Sequence, residues 1–311
     1  MLKIIVALLS FIFIIFGLSP SDDVGTTAFS YLLKNDTGAR GSALGGAYVG
    51  WGKSQDGFSY NPAAVGFLKY RGVSVEYENL WGMFNAGYAA YHQSLGRNDY
   101  AAVALKTISY GGDFVRTDGE GYENGTFSVG DFSVEMTYSR KLSKVVSIGG
   151  AMKFLYSFAD TFSASALCGD VGAMFSFERD KLRAGIVVAN IGAMIDGYTD
   201  EQYPLPLTVK AGTSYDLPGF PGVFGAQVET GTDIDFKARA GMELDFIKNF
   251  ALRFGYILQP KAEEDPSDSE TLNGITAGAG IYYKKFSLDY AMRNYGLLGM
   301  AHKISIAYRG F

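Results

Sequence analysis

Few residues in this sequence are of types that carry out covalent or metal chemistry. The 311-residue chain has two histidines, His92 and His302, and a single cysteine, Cys168. With two histidines, a multi-histidine metal site and a histidine-based catalytic triad are both nearly excluded. The sequence also lacks a G-x-S-x-G nucleophile elbow and a Walker-type phosphate loop. We therefore predict that the protein is not an enzyme and uses no metal and no cofactor.

The composition is that of an exported, apolar protein. The chain is 48% hydrophobic and 15% aromatic, with 40 glycines and a formal net charge of −5, so nucleic acid is not an expected partner. The apolar run at residues 4–18 follows Lys3 and precedes "SPSDD", which suits a signal peptide. We predict a cleaved signal peptide over residues 1–21; an uncleaved membrane anchor is the alternative.

Beyond residue 72 apolar and polar residues alternate with the period of a β-strand. In "KARAGMELDF", for example, Met242 and Leu244 fall on one face, whereas Arg239 and Glu243 fall on the other. We predict about fourteen strands, an even number as in outer-membrane barrels. They cover approximately residues 72–79, 83–93, 99–111, 126–142, 146–159, 161–177, 181–192, 205–217, 223–231, 237–246, 249–258, 273–283, 286–293 and 301–311.

The connections between these strands differ in length in a regular way. The long ones, at residues 112–125, 193–204 and 259–272, all follow odd-numbered strands, whereas the short turns follow even-numbered ones. Long loops at one end and short turns at the other are typical of a transmembrane antiparallel β-barrel. A secreted all-β sandwich or propeller would share the alternation, but it does not require this sorting of loops.

Three stretches resemble one family of outer-membrane proteins. They are "GARGSALGGAYVGWGKSQDGFSYNPAAVGFL" near the beginning, "VVANIG" followed by "LPLTVKAGTSY" in the middle, and "LDYA" to "LG" to "HKISIAY" at the end. The chain is similar to the PorV/PorQ family, which is related to the FadL transporters of hydrophobic compounds. This resemblance implies a fourteen-stranded barrel whose N-terminal segment folds inside it as a plug, or hatch.

The resemblance divides the chain into a signal peptide (1–21), a plug (22–71) and an outer-membrane barrel (72–311). Asn61, Pro62 and Ala63 match an Asn-Pro-Ala motif of the family. Asn61 can cap a short helix that Pro62 begins, which is worth about 1 kcal/mol. A lumen of about fourteen strands is too wide for side chains alone to fill, so a compact segment is expected there. A disordered leader is the alternative for residues 22–71.

Other site residues follow from the barrel. We expect Lys237, Arg239, Glu243 and Asp245 to face the lumen and to hold the plug through salt bridges. Tyr308 and Phe311 belong to a C-terminal insertion signal, although Gly310 places Phe311 out of phase with the preceding outward residues. The expected partners are outer-membrane lipid and the barrel-assembly machinery.

Two functions from different classes remain open. The first is a plugged passive channel, or porin, for small hydrophobic molecules across a bacterial outer membrane. The second, which the PorV/PorQ resemblance implies, is a component of a type IX secretion system that binds or shuttles cargo proteins.

Overall fold

The computed structural model describes residues 26–52, 54–68, 70–112, 114–258 and 274–310. Fourteen of its strands form one closed antiparallel barrel, in the order β1-β16-β15-β14-β13-β12-β11-β10-β9-β8-β7-β6-β3-β2, and β4 and β5 form a separate hairpin. The strands are β1 Gly72–Leu80, β2 Phe84–Ser94, β3 Asp99–Ser109, β4 Phe114–Thr117, β5 Glu123–Phe127, β6 Val129–Lys141, β7 Val146–Ala159, β8 Phe162–Phe177, β9 Leu182–Asp196, β10 Thr208–Asp216, β11 Gly222–Gly231, β12 Ile234–Ile247, β13 Phe250–Leu258, β14 Ile275–Tyr283, β15 Phe286–Asn294 and β16 Met300–Arg309.

The predicted all-β barrel of about fourteen strands is confirmed, and a sandwich or propeller is excluded by the closure of β1 on β16. Strand boundaries differ from the predicted ones by a few residues, as expected where turn residues also favour extended backbone. The hairpin β4–β5 was not predicted, because apolar and polar residues do not alternate in its strands FVRT and ENGTF. Since consecutive barrel strands are antiparallel, the long connections all lie at one end of the barrel, called here the long-loop end. The opposite end is the short-turn end.

The barrel has an apolar outer face and a polar inner face. On β1 and β16 the exposed side chains include Val75, Tyr77, Ile304 and Ile306, at 46–54% relative exposure. The residues that alternate with them, such as Glu78, Lys303 and Ser305, are buried. A soluble barrel has the reverse arrangement, because its apolar side chains leave water by pointing inward. The alternation of apolar and polar residues along the strands therefore places the apolar side chains on the outside of the barrel.

The described residues 26–52 and 54–68, called here the N-terminal segment, lie inside the barrel. They contain two helices, α1 Ser30–Lys34 and α2 Ala39–Ala43, and the 3-10 helices Gly57–Ser59 and Pro62–Phe67. Two more 3-10 helices, Glu178–Asp180 and Gly296–Leu298, lie in connections of the barrel. No helix within the described ranges is both long and apolar enough to cross a membrane.

The core of the molecule lies between the N-terminal segment and small residues of the barrel wall. One cluster joins Tyr48, Val49 and Trp51 to Val187 and Ala189 of β9. Wall glycines allow the two backbones to touch: a Cβ at Gly149 would lie 2.5 Å from the carbonyl carbon of Pro62, and one at Gly255 would lie 2.2 Å from the amide nitrogen of Gly45. Any side chain at these positions would displace the segment.

Candidate functional site

Asn61 lies at the centre of the contact between the N-terminal segment and the wall. It is fully buried and extended, with φ −150°, and its side-chain oxygen accepts a hydrogen bond from the amide of Ala63 at 3.0 Å. Its amide group donates to the carbonyl oxygens of Val49 and Ala173, both at 3.1 Å. Pro62 occupies the first helical position, and the helix that follows is a 3-10 helix that continues through Gly66 to Phe67. The Asn-Pro-Ala turn thus joins two parts of the segment to β8.

Two of the four charged residues assigned to the lumen contact the N-terminal segment. Arg239 lies 2.8 Å from the carboxylate of Asp36 and donates to the carbonyl oxygen of Gly45 at 2.9 Å. Glu243 accepts a hydrogen bond from Arg40 of α2 at 2.8 Å. Inward-facing arginines and carboxylates therefore hold residues 36–45 against β12.

The other two lumen charges form no salt bridge or hydrogen bond with the described part of the N-terminal segment. Lys237 lies 3.6 Å from Glu229, a wall residue of β11. Asp245 is exposed at the short-turn end, where β12 leaves the barrel and no described partner of its side chain comes from the segment. Alternation predicts which face a residue occupies, but the depth along the strand decides what it touches.

A cavity of about 520 Å³ opens at the long-loop end above α1. Apolar and aromatic side chains from the segment and the wall form much of its lining, including Phe29, Tyr31, Ala164 and Met194. Phe29 precedes α1 with φ 54°, a conformation that is unfavourable for a side chain of this size. Within the described chain the buried hydroxyl of Tyr31 has no hydrogen-bond partner. Its volume and its largely apolar and aromatic lining mark this cavity as a candidate binding site.

One wall of the cavity carries a chain of hydrogen bonds. Tyr110 donates to Asp131 at 2.6 Å, Ser157 also donates to Asp131, and the hydroxyls of Ser157 and Tyr198 are 2.6 Å apart. These residues come from β6, β7 and the connections that follow β3 and β9. The chain of hydrogen bonds fastens the connection after β9 over the edge of the cavity.

The helix α1 forms the floor of the cavity and is held at both ends. Asp233, in the turn between β11 and β12, pairs with Lys34 and accepts a hydrogen bond from Ser30 at 3.2 Å. Lys106 of β3 donates to the carbonyl oxygens of Leu32 and Asn35, at 2.9 and 2.6 Å. The two bonds from Lys106 satisfy carbonyl groups at the end of this five-residue helix and directly after it.

Below α1 the lumen is narrow and polar. A cavity of about 50 Å³ lies there, and Lys106, Glu135, Lys153 and Lys210 contribute to its lining. This volume holds a few water molecules. In this state α1 separates an apolar cavity at the mouth from a small polar one inside.

Burial and charge act on the acids of the N-terminal segment in opposite directions. Burial alone would raise the pKa of Asp36, but Arg239, Arg293 and Lys303 hold it well below its usual range. Burial raises the pKa of Asp56 to about 6, because fewer charges compensate it there. Burial also raises the pKa of Tyr31, which keeps its phenol neutral.

The residues considered for chemistry lie apart from one another. His92 is buried on the inner face of β2, His302 lies on the outer face of β16 beside Tyr290, and Cys168 is buried on β8. No group of three or more His, Cys, Asp or Glu within the described ranges could hold a metal ion. Tyr308 lies beside Phe286, with ring centroids 5.0 Å apart, whereas Phe311 and the signal peptide fall outside the described residues.

Sequence reasoning did not identify the residues around the mouth cavity. Asp131 and Ser157 are polar residues at inward positions, like many others of the same strands. Asp233 is one of many turn aspartates. In the sequence these residues are recognisable only as polar residues at inward-facing or turn positions. That property does not show which of them lie beside the cavity or contact α1.

Comparison with known proteins supports the fold alone. No protein-family model matches the chain, and no curated protein sequence is significantly similar to it. Among solved structures, the toluene transporter TodX of Pseudomonas putida superposes with a TM-score of 0.60 at 11% identity, and TbuX of Ralstonia pickettii superposes with a TM-score of 0.58 at 12%. Each match covers 88% of this chain and 98% of the other. The monoaromatic hydrocarbon channel CymD superposes with a TM-score of 0.55 at 11% identity, over 88% of this chain and 97% of its own.

Proposed function

We propose that this protein is an outer-membrane barrel that conducts small, mainly apolar molecules passively. The observation that supports the proposal most is the pairing of an apolar outer face with a lumen that the N-terminal segment occupies. An apolar surface that surrounds the barrel, called here the lipid belt, is stable only when lipid covers it. The barrel-assembly machinery would insert the protein after export, with the short turns on the periplasmic side.

In this proposal the cavity at the long-loop end is the entry site. Its aromatic and aliphatic lining suits a small apolar solute. The transporters of similar fold carry toluene, which is compatible with an apolar entry site.

The N-terminal segment would act as the plug. The solute cannot pass α1 in the state described, because the cavity below holds only a few waters. Transport therefore requires α1 to move away from Asp233 and Lys106. No chemical step is needed; displacement of α1 would set the flux.

The test is uptake of labelled toluene by cells whose outer leaflet of lipopolysaccharide resists apolar solutes. Ala164 lines the entry cavity, so Ala164→Phe should reduce uptake several-fold by filling it. Ala193 is exposed on the neighbouring strand β9 and pairs with the outward-facing Leu167, so Ala193→Phe is the matched control. Equal uptake by both variants and the native protein would refute the entry site. Uptake no greater than in cells without the protein would refute the transport function.

A type IX secretion component of the PorV/PorQ kind is the second proposal. The observation that favours it is the hairpin β4–β5 at the long-loop end, where Phe114, Val115 and Tyr122 are 41–69% exposed. Exposed apolar residues outside the lipid belt are typical of a protein contact. Loss of protein secretion with unchanged toluene uptake in a Phe114→Ser/Tyr122→Ser variant would support this function over transport.

A further inference from the structure

Basic side chains concentrate at the short-turn end of the barrel. The turns there carry Arg97, Lys144, Lys181, Lys248, Lys284 and Lys285, and Arg309 ends the last strand, whereas the only acids in these described turns are Glu178 and Asp180 beside Lys181. The connections at the long-loop end instead carry mainly acids, among them Asp118, Glu120, Glu123, Asp160, Asp200 and Glu201. The barrel is therefore polarised along its axis, although its net charge is only −5.

Part of this basic end forms a defined concavity of about 440 Å³. Backbone hydrogen bonds bring its members together: Tyr282 donates to Asn249 at 2.9 Å, and Arg309 donates to Lys285 at 2.8 Å. The lining contains Lys248, Lys284, Lys285, Arg309 and Arg40, and also Glu243 and Asp245. Glu243 pairs with Arg40 and with Arg253 at 2.6 Å, and Asp245 offsets one further cation, so Lys248, Lys284, Lys285 and Arg309 still leave the concavity with excess positive charge.

Lys284 occupies a backbone conformation that lysine disfavours. It lies at φ 53° in the two-residue turn between β14 and β15. Turns of this kind favour asparagine or glycine, because left-handed backbone crowds a Cβ. The turn between β12 and β13 follows that preference, with Asn249 at φ 64°. The turn itself does not require lysine, so asparagine can remove the charge of Lys284 without adding backbone strain.

Large apolar side chains border the basic groups on the outer face. Ile247, Tyr283 and Phe286 are 54–64% exposed and lie next to the two lysine-bearing turns. In membrane barrels an aromatic girdle of this kind marks the boundary between hydrocarbon and headgroups. The cations that come directly after it therefore lie at the level of lipid phosphates.

We propose that this concavity binds the phosphate headgroup of an anionic phospholipid from the periplasmic leaflet. Lys248, Lys284 and Lys285 contact the phosphate, and the acyl chains lie along Phe286 and Ile247. The inference rests on the proposed outer-membrane location, since it needs the short turns to meet that leaflet. The combination of apolar border and positive charge favours a lipid over a free anion.

The test is native mass spectrometry of the delipidated, refolded full chain titrated with phosphatidylglycerol, phosphatidylcholine or glycerol 3-phosphate. Each cation near an anionic lipid surface is worth roughly a five-fold change in binding. The triple variant Lys248→Gln/Lys284→Asn/Lys285→Gln should therefore lose phosphatidylglycerol binding by at least about ten-fold. Arg97→Gln/Lys144→Gln/Lys181→Gln removes as many charges from other turns of the same end and should bind like the native chain.

The change Lys284→Asn separates a binding role from a structural one. Asparagine suits the left-handed position, so the single variant should be at least as heat-stable as the native barrel while it binds phosphatidylglycerol less. Equal loss in both triple variants, or equal binding of phosphatidylcholine, would overturn the site. Binding of glycerol 3-phosphate as tight as that of lipid would show a free-anion site instead. Toluene uptake is read separately, so failure of the lipid site leaves the transport test unaffected.

Discussion

Replacement of Asn61 by alanine should loosen the N-terminal segment without opening the barrel. The helix cap alone is worth about 1 kcal/mol, but the structure adds the hydrogen bonds to Val49 and Ala173. At about 1 kcal/mol for each of three hydrogen bonds, Asn61→Ala should cost about 3 kcal/mol. Because strand pairing around the barrel does not involve Asn61, this loss falls on the segment.

Hydrogen–deuterium exchange of the purified barrel measures the effect directly. Amides between residues 49 and 65 should exchange about a hundred-fold faster in Asn61→Ala, as expected for about 3 kcal/mol lost from local stability. The strands should keep native protection and the protein should stay heat-modifiable. Asn98→Ala, in an exposed short turn, is the control. Native exchange across residues 49–65, or loss of the barrel, would refute this account of the Asn-Pro-Ala turn.

Three further changes test other parts of the structure. Phe254 is 51% exposed on the outer face. Near the membrane midplane Phe254→Arg should cost roughly 2–4 kcal/mol of folding free energy and reduce the heat-modifiable fraction of the protein. Normal folding of this variant would argue against a lipid-facing surface. Asp233→Asn weakens the hold on Lys34, so it should raise toluene uptake; reduced uptake would contradict a closing role for α1. Burial raises the pKa of Asp56 to about 6, above its unfolded value of about 3.9. Protonated Asp56 therefore stabilises the N-terminal segment in its place inside the barrel. This stabilisation is complete below about pH 4 and is lost as the pH rises through about 6. In planar bilayers the ion leak through the protein should therefore be larger at pH 7 than at pH 4.5, and Asp56→Asn should abolish this pH dependence. The same pH dependence in the variant would exclude Asp56 as its origin.

The barrel could be predicted from sequence because its information is local. Each strand alternates on its own, and Met242 against Glu243 is enough to separate the two faces of β12. The lengths of the connections then give the direction of the strands. The hairpin β4–β5 escaped prediction because neither property applies to a short exposed ribbon.

The interior of the lumen could not be predicted in the same way. Its contacts join residues far apart in sequence, such as Asp36 to Arg239 and Ser30 to Asp233. Alternation places Lys237 and Arg239 on the same face, but only the three-dimensional path of the segment shows that Arg239 meets it. To predict these contacts one must know how far along the barrel axis each residue lies, and the periodicity of the sequence does not give that position.

Reversible crosslinking of α1 to the wall tests most directly whether solute passes the N-terminal segment. The side-chain oxygens of Ser30 and Asp233 are 3.2 Å apart, and cysteines at both positions, in a Cys168→Ser background, are therefore the pair to join by a disulfide. Oxidation should reduce toluene uptake to that of cells lacking the protein, and reduction should restore it. Unchanged uptake after complete crosslinking would contradict the proposal that α1 must move for transport.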